Sequence, residues 1–192
     1  MQPMRLQSLV TALLLASCGT VPVGSLIQLS RIDARTTDLA VLRVALRLPD
    51  GLRPRPRGVN MDVMVKVSGE PDQKVTFILN ETRNPADRAG LPGGDQNGRP
   101  IYAFRLSPED TERFKEVRDA AYAKRQGGKS VSIGMGVATK EFCRNGTVPA
   151  GPLLATTFLL TSETRAYITV TSDLDLRQEP SLAAEISRLE PC

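Results

Sequence analysis

Apolar residues recur at every second position in several segments of the chain. In residues 131–137, Val131, Ile133, Met135 and Val137 alternate with serine and glycine. Because successive side chains of a strand point to opposite faces of a sheet, this period predicts strands with one buried face. Similar alternation or short apolar runs predict seven strands in all, near residues 41–48, 61–67, 75–79, 102–106, 131–137, 153–160 and 167–170.

One segment has helical spacing instead. Ser107 is a good N-cap residue, Pro108 suits the first helical position, and acidic residues follow in the first turn. Apolar residues then recur three or four positions apart, which predicts an α-helix over 108–125. A short C-terminal helix is predicted over 180–189.

Turn residues join the predicted strands, as in Pro49-Asp50-Gly51 and Asn145-Gly146. Alternating strands that are joined by short turns favour antiparallel pairing. The sequence thus predicts a mainly β fold, an antiparallel β-sandwich of about seven strands with one inserted helix. A single domain is expected over residues 37–192.

Two segments invite more specific expectations. Gly134 and Gly136, together with serines, make one face of a predicted strand small, and we expect the 108–125 helix to pack on that face. Residues 81–99 are rich in glycine, proline and polar residues. A segment of this kind is either a disordered insert or a partner-binding loop.

The N-terminus has the layout of an export signal. Arg5 precedes an apolar run of about eight residues, far short of the ~20 that a membrane-spanning helix needs. The run ends in Leu15-Ala16-Ser17-Cys18, which resembles the lipobox of bacterial lipoproteins. In that family the signal is cut before the cysteine, and the cysteine thiol carries a diacylglyceryl group.

The resemblance implies a signal peptide over residues 1–17 and a lipidated N-terminus with a tether over 18–36, with Cys18 as the lipidation site. It implies a cell-envelope protein that is anchored to a membrane by lipid and faces the periplasm. Gly19, rather than aspartate, follows the cysteine, which points to the outer membrane.

Two other cysteines remain, Cys143 and Cys192. An exported protein matures in an oxidising compartment, where an even number of cysteines favours disulfide formation. The sequence therefore predicts a Cys143–Cys192 bridge, which ties the C-terminal residue to the domain.

The composition argues against several functions. The chain has no histidine, which excludes Ser–His, Cys–His and zinc–histidine sites. We therefore predict no enzyme activity, no catalytic residues, no metal and no cofactor. The net charge is +4, and 25 basic residues are intermixed with 21 acidic ones, so nucleic acid is not an expected partner.

One basic segment is a candidate binding site. In Arg53-Pro54-Arg55-Pro56-Arg57 the prolines favour an extended path that projects three guanidinium groups. Arg53, Arg55 and Arg57 are thus candidate ligands for anionic groups, unless the segment is a solvated connector whose prolines protect an edge strand.

Three functional hypotheses follow. The first is a lipid-anchored binding or assembly module of the envelope, which docks a protein partner through sheet edges or through residues 81–99. The second is binding of an anionic envelope glycan or lipid through residues 53–57. The third hypothesis is a hydrolase that uses only carboxylates, which would need two facing acids in a cleft. The sequence leaves the partner and the oligomeric state open.

Overall fold

The computed structural model describes residues 23–29, 32–93 and 99–192. The predicted signal over 1–17 and the predicted lipidation site Cys18 lie outside the described residues. The described residues form ten strands and four α-helices, and the strands build antiparallel, sandwich-like sheets. The predicted mainly β fold is confirmed.

The larger sheet has five antiparallel strands. In spatial order they are β10 (Ile168–Asp175), β9 (Leu154–Leu160), β1 (Arg43–Arg47), β6 (Ile101–Arg105) and β5 (Asn80–Thr82). The smaller sheet has three, in the order β4 (Gln73–Ile78), β3 (Val59–Val67) and β7 (Val131–Thr139). A two-stranded ribbon pairs β2 (Leu52–Pro54) with β8 (Phe142–Arg144).

The main core lies between the five-stranded sheet and the three-stranded sheet, and it is mostly aliphatic. Along β3 the odd-numbered residues point inward, so that Met61, Val63 and Val65 are buried, whereas Lys66 is exposed. Val44 and Leu46 of β1 face them from the larger sheet as part of the same core cluster. The period of two in the sequence therefore marks the buried face correctly.

The four helices are α1 (Val23–Leu29), α2 (Pro85–Arg88), α3 (Pro108–Ala123) and α4 (Pro180–Ile186). The predicted helix begins where expected, because the Ser107 hydroxyl accepts a hydrogen bond from the Asp110 N–H at 2.9 Å. It continues as a 3-10 helix over Lys124–Gly127, which is capped by Gly128, whose φ of 80° only glycine adopts readily. The segment predicted as a tether contains α1, and α4 ends three residues before the predicted boundary.

The prediction that the long helix packs on the glycine face was wrong. Phe114 of α3 instead stacks on Phe77 of β4, with ring centroids 5.2 Å apart. Phe77 and its neighbour in register, Met61, are on the inner face of the small sheet, whereas Gly136 lies opposite Asp62 on the outer face. A helix needs apolar side chains to bury, and these lie on the inner face.

Much of the predicted loop over 81–99 is folded. It contains the end of β5 and all of α2, and Leu91 packs against a second, small core on the outer face of the larger sheet. That core consists of Ala45, Ile101, Phe158 and Tyr167. Residues 83–93 therefore cover a sheet face, and 94–98 lie outside the described residues.

Candidate functional site

An apolar cleft opens between strand β10 at the edge of the five-stranded sheet and strand β7 at the edge of the three-stranded sheet. Its volume is about 430 Å³. Ile133, Met135 and Val137 of β7 line one side, and Val170 and Leu174 of β10 line the other. The described residues of the lining include no charged side chain. The cleft therefore suits apolar groups, and its described lining offers no acid or base for catalysis.

The backbone along this cleft has an edge that no described strand covers. The Lys140 N–H donates to the Gly58 carbonyl at 2.8 Å, and the Ser68 N–H donates to the Ser130 carbonyl at 3.0 Å. Both pairs continue the antiparallel register of β3 with β7. Hydrogen-bonded pairs alternate along such a ladder, so the even-numbered residues of β7 direct their N–H and C=O groups to β3.

The odd-numbered residues of β7 consequently direct their N–H and C=O groups away from β3. These are the residues whose side chains face inward, among them Ile133, Met135 and Val137. No strand in the described part of the chain pairs with this side of β7. Backbone groups that no described strand pairs with, and apolar side chains, thus lie along the same edge.

The residues of β7 themselves carry none of the usual protection against pairing. Native edge strands carry charges, proline or bulges, are very short, or are covered by a helix or loop. Residues 131–139 are nine in number and contain neither a charge nor a proline. The facing edge strand β10 is irregular, with register shifts around Thr171 and with Asp173 at a φ of 49°. At the far edges β5 has three residues, and Lys74 of β4 is exposed.

Short helices lie at the two ends of the cleft. Leu29 at the end of α1, and Ile32 after it, line one end. Near the other end Leu182 of α4 lies beside Val137 and Leu174. Between these helices, β7 and β10 are not paired with each other in the described structure.

The arginine segment is largely committed to contacts within the chain. Arg53 pairs with Glu81 at 2.9 Å and lies over the Tyr102 ring, and Arg55 pairs with Glu190 at 3.0 Å. Its first part is strand β2, and Arg57 has a φ of 66°, so the segment turns there. The structure therefore does not bring Arg53, Arg55 and Arg57 together as three unpaired guanidinium groups.

A buried carboxylate holds α2 in place. The side chain of Asp87 is 7% exposed, and it accepts hydrogen bonds from Arg43 at 2.6 Å and Thr82 at 2.7 Å. Burial raises the pKa of Asp87, but the Thr82 and Arg43 hydrogen bonds outweigh burial and hold this pKa below its usual value. The phenol of Tyr167 donates to the Asp87 carbonyl, and burial raises the pKa of Tyr167 to about 12. The carboxylate is occupied by structural contacts.

The predicted disulfide is present. Cys143 and Cys192 are bonded, with their Cα atoms 4.9 Å apart. The chain end is also hydrogen-bonded to β8, because the Arg144 N–H donates to the Glu190 carbonyl at 2.8 Å and the Cys192 N–H donates to the Arg144 carbonyl at 3.1 Å. The bridge thus fixes the C-terminal tail on the ribbon, away from the cleft-lining residues of β7.

Within the described part of the chain, no helix has the length and apolar character to cross a membrane. No cluster of three or more potential metal-ligating side chains occurs among the described residues either. No protein-family model, curated protein or solved structure matches this chain. The cleft beside β7 is the candidate site, and sequence reasoning missed it, although the uncharged stretch 131–139 was its signal.

Proposed function

We propose that this chain is a non-enzymatic, lipid-anchored binding or assembly module of the bacterial envelope. Acyl groups on Cys18 hold it at a membrane, with the outer membrane as its residence, and the domain faces the periplasm. The cleft beside β7 docks a protein partner. The observation that carries the proposal is an uncharged cleft of about 430 Å³ along a sheet edge that no described strand covers.

Docking accounts for this cleft better than catalysis does. Enzyme sites combine an apolar pocket with a few polar or titratable groups at the reacting centre. The described cleft lining offers hydroxyl groups of Thr157 and Thr171, and the chain has no histidine to activate them. Burial of apolar surface, in contrast, needs only shape and the absence of charge.

The lipid anchor is supported by the order of features at the N-terminus. A basic residue, a short apolar run, small residues and Cys18 follow one another as in lipoprotein signals. Two or three acyl chains give stable anchoring, whereas a single chain is marginal. We expect the intact mass of the purified protein to match a chain that starts at an acylated Cys18. The Cys18→Ser variant is expected to lose its membrane association.

Site-specific photocrosslinking in the native envelope tests the docking site. A photoreactive amino acid at Met135 reports on the cleft, and one at Lys115, which is 54% exposed on α3, is the matched control. The proposal expects one envelope protein to be crosslinked from position 135 and not from position 115. Identical crosslinked proteins from both positions, or none from position 135, would contradict it.

A further inference from the structure

We infer that the partner contributes an extended segment that adds as a strand to the open edge of β7 and places alternate apolar side chains in the cleft. This inference rests on the proposed function and specifies the chemistry of the partner. The donor is a membrane-proximal segment of an envelope protein, with apolar and uncharged residues at every second position.

The backbone of β7 favours an added strand over other occupants of the cleft. The N–H and C=O groups of Ile133, Met135 and Val137 point away from β3, and no described strand meets them. An added strand supplies a partner for each of these groups. A helix or an acyl chain fills an apolar space without offering such partners. The edge therefore favours an extended polypeptide.

The side chains that line the cleft determine which residues the added strand can place there. In a strand beside β7, every second side chain points to the same face as Ile133, Met135 and Val137, which is into the cleft. The uncharged lining penalises a charge at these positions, whereas the intervening positions face solvent beside Gly134 and Gly136. No described atom beyond the chain neighbours lies within 4 Å of a Cβ placed on either glycine. Large side chains of the donor thus have space on the outer face.

The length of chain before α1 places the donor near the membrane. Val23 lies five positions after Cys18, a distance of at most about 18 Å when extended. The seven residues of α1 add about 10 Å and end at Leu29, which lines the cleft. An anchored Cys18 therefore keeps the Leu29 end of the cleft within about 30 Å of the membrane surface, so the donor segment must be presented near that surface.

Amide hydrogen exchange with residue resolution tests the mode of binding. The full-length acylated protein is held in nanodiscs and mixed with a short synthetic peptide in which valine and threonine alternate between lysine ends. We expect about tenfold slower exchange at Ile133, Met135 and Val137, whose N–H groups face the open edge. We expect no change at Gly134 and Gly136, whose N–H groups face β3.

Two further probes serve as controls. A peptide of the same composition with its valines at helical spacing should leave exchange unchanged, and so should vesicles of palmitoyl phosphatidylglycerol. Equal protection by the helical peptide would overturn the inference. Protection that depends on protein concentration without any peptide would also overturn it, because a second copy would then occupy the edge.

A pair of variants separates the backbone contribution from the side-chain contribution. Met135→Pro removes an N–H that does not bond to β3, and Met135→Ala shortens the side chain and keeps that N–H. We expect the proline variant to bind the alternating peptide about tenfold more weakly than the alanine variant. Equal affinities would refute strand addition, and thermal unfolding of both variants checks that they are folded.

The failure of this inference is distinguishable from the failure of the proposed function. If photocrosslinking at Met135 captures an envelope protein but the exchange pattern and the variant pair give the negative results, docking stands and strand addition is wrong. If position 135 captures no protein, the proposed docking site itself is wrong.

Discussion

Removal of the disulfide tests how the C-terminal tail is held. The bridge joins residues 49 positions apart, so in the unfolded chain it closes a loop of about 50 residues. The chain-entropy relation gives about 4 kcal/mol of stabilisation for such a loop at 25 °C. Cys192 is exposed, so Cys192→Ser removes the crosslink without burying a hydroxyl group.

The other contacts of the tail are too weak to replace the bridge. The two backbone hydrogen bonds to Arg144 contribute about 1 kcal/mol each, and they depend on the tail being in place. The ion pair of Arg55 with Glu190 adds little, because the Glu190 side chain is 79% exposed. We therefore expect Cys192→Ser to lower the free energy of unfolding by about 3–4 kcal/mol.

Urea unfolding of the Cys18→Ser protein, which carries no lipid, measures this loss. The serine variant should unfold at a lower urea concentration, and its m-value should rise because an uncrosslinked chain exposes more surface when unfolded. The parent protein under reducing conditions should reproduce both changes. A loss below about 1 kcal/mol with an unchanged m-value would refute the crosslink account.

Three further perturbations test the packing, the buried charge and the arginine segment. Phe114→Ala should cost about 3–4 kcal/mol in urea unfolding, because its ring is buried against the sheet, and a loss below about 1 kcal/mol would contradict this packing. The pKa of Asp87 lies below its usual 3.8 in the folded state, so its stabilisation is present above about pH 4 and is lost as the pH falls further. The stability gap between the parent and Asp87→Asn should therefore narrow from pH 5 to pH 3, and a constant gap would refute the assignment. Replacing Arg53, Arg55 and Arg57 by serine should leave binding to anionic vesicles unchanged, and a salt-sensitive loss of binding would favour the anion-binding hypothesis.

The sequence predicts the long strands well because their signal is local. A strand of five or more residues shows its period directly, as Val63, Val65 and Val67 do in β3. The three strands that sequence reasoning missed have three residues each, too few to display a period. Pro54 ends one of them, in a segment where the prolines suggested an extended path.

The candidate site was not predictable in the same way, because an open edge is a property of pairing. The alternation in residues 131–137 is compatible with a central strand or with an edge strand. The order β4-β3-β7 decides between them, and it depends on contacts between residues that are far apart in the sequence. The sequence also does not show which face of a strand is covered. For this reason Gly134 and Gly136 wrongly suggested a contact with the long helix.

The residues on the outer face of β7 favour a role in pairing over a role in folding. No described atom beyond the chain neighbours lies within 4 Å of a Cβ placed on Gly134 or Gly136, and neither has a positive φ, so the backbone there would accept a larger side chain. Glycine within a strand is destabilising by about 0.5–1 kcal/mol relative to alanine, and a lysine at either position would protect the edge. Neither stability nor solubility therefore favours glycine here. A flat and uncharged strand is favoured where another strand must lie beside it. We therefore expect Gly134→Lys to weaken the binding of the alternating peptide to β7 while leaving the domain folded.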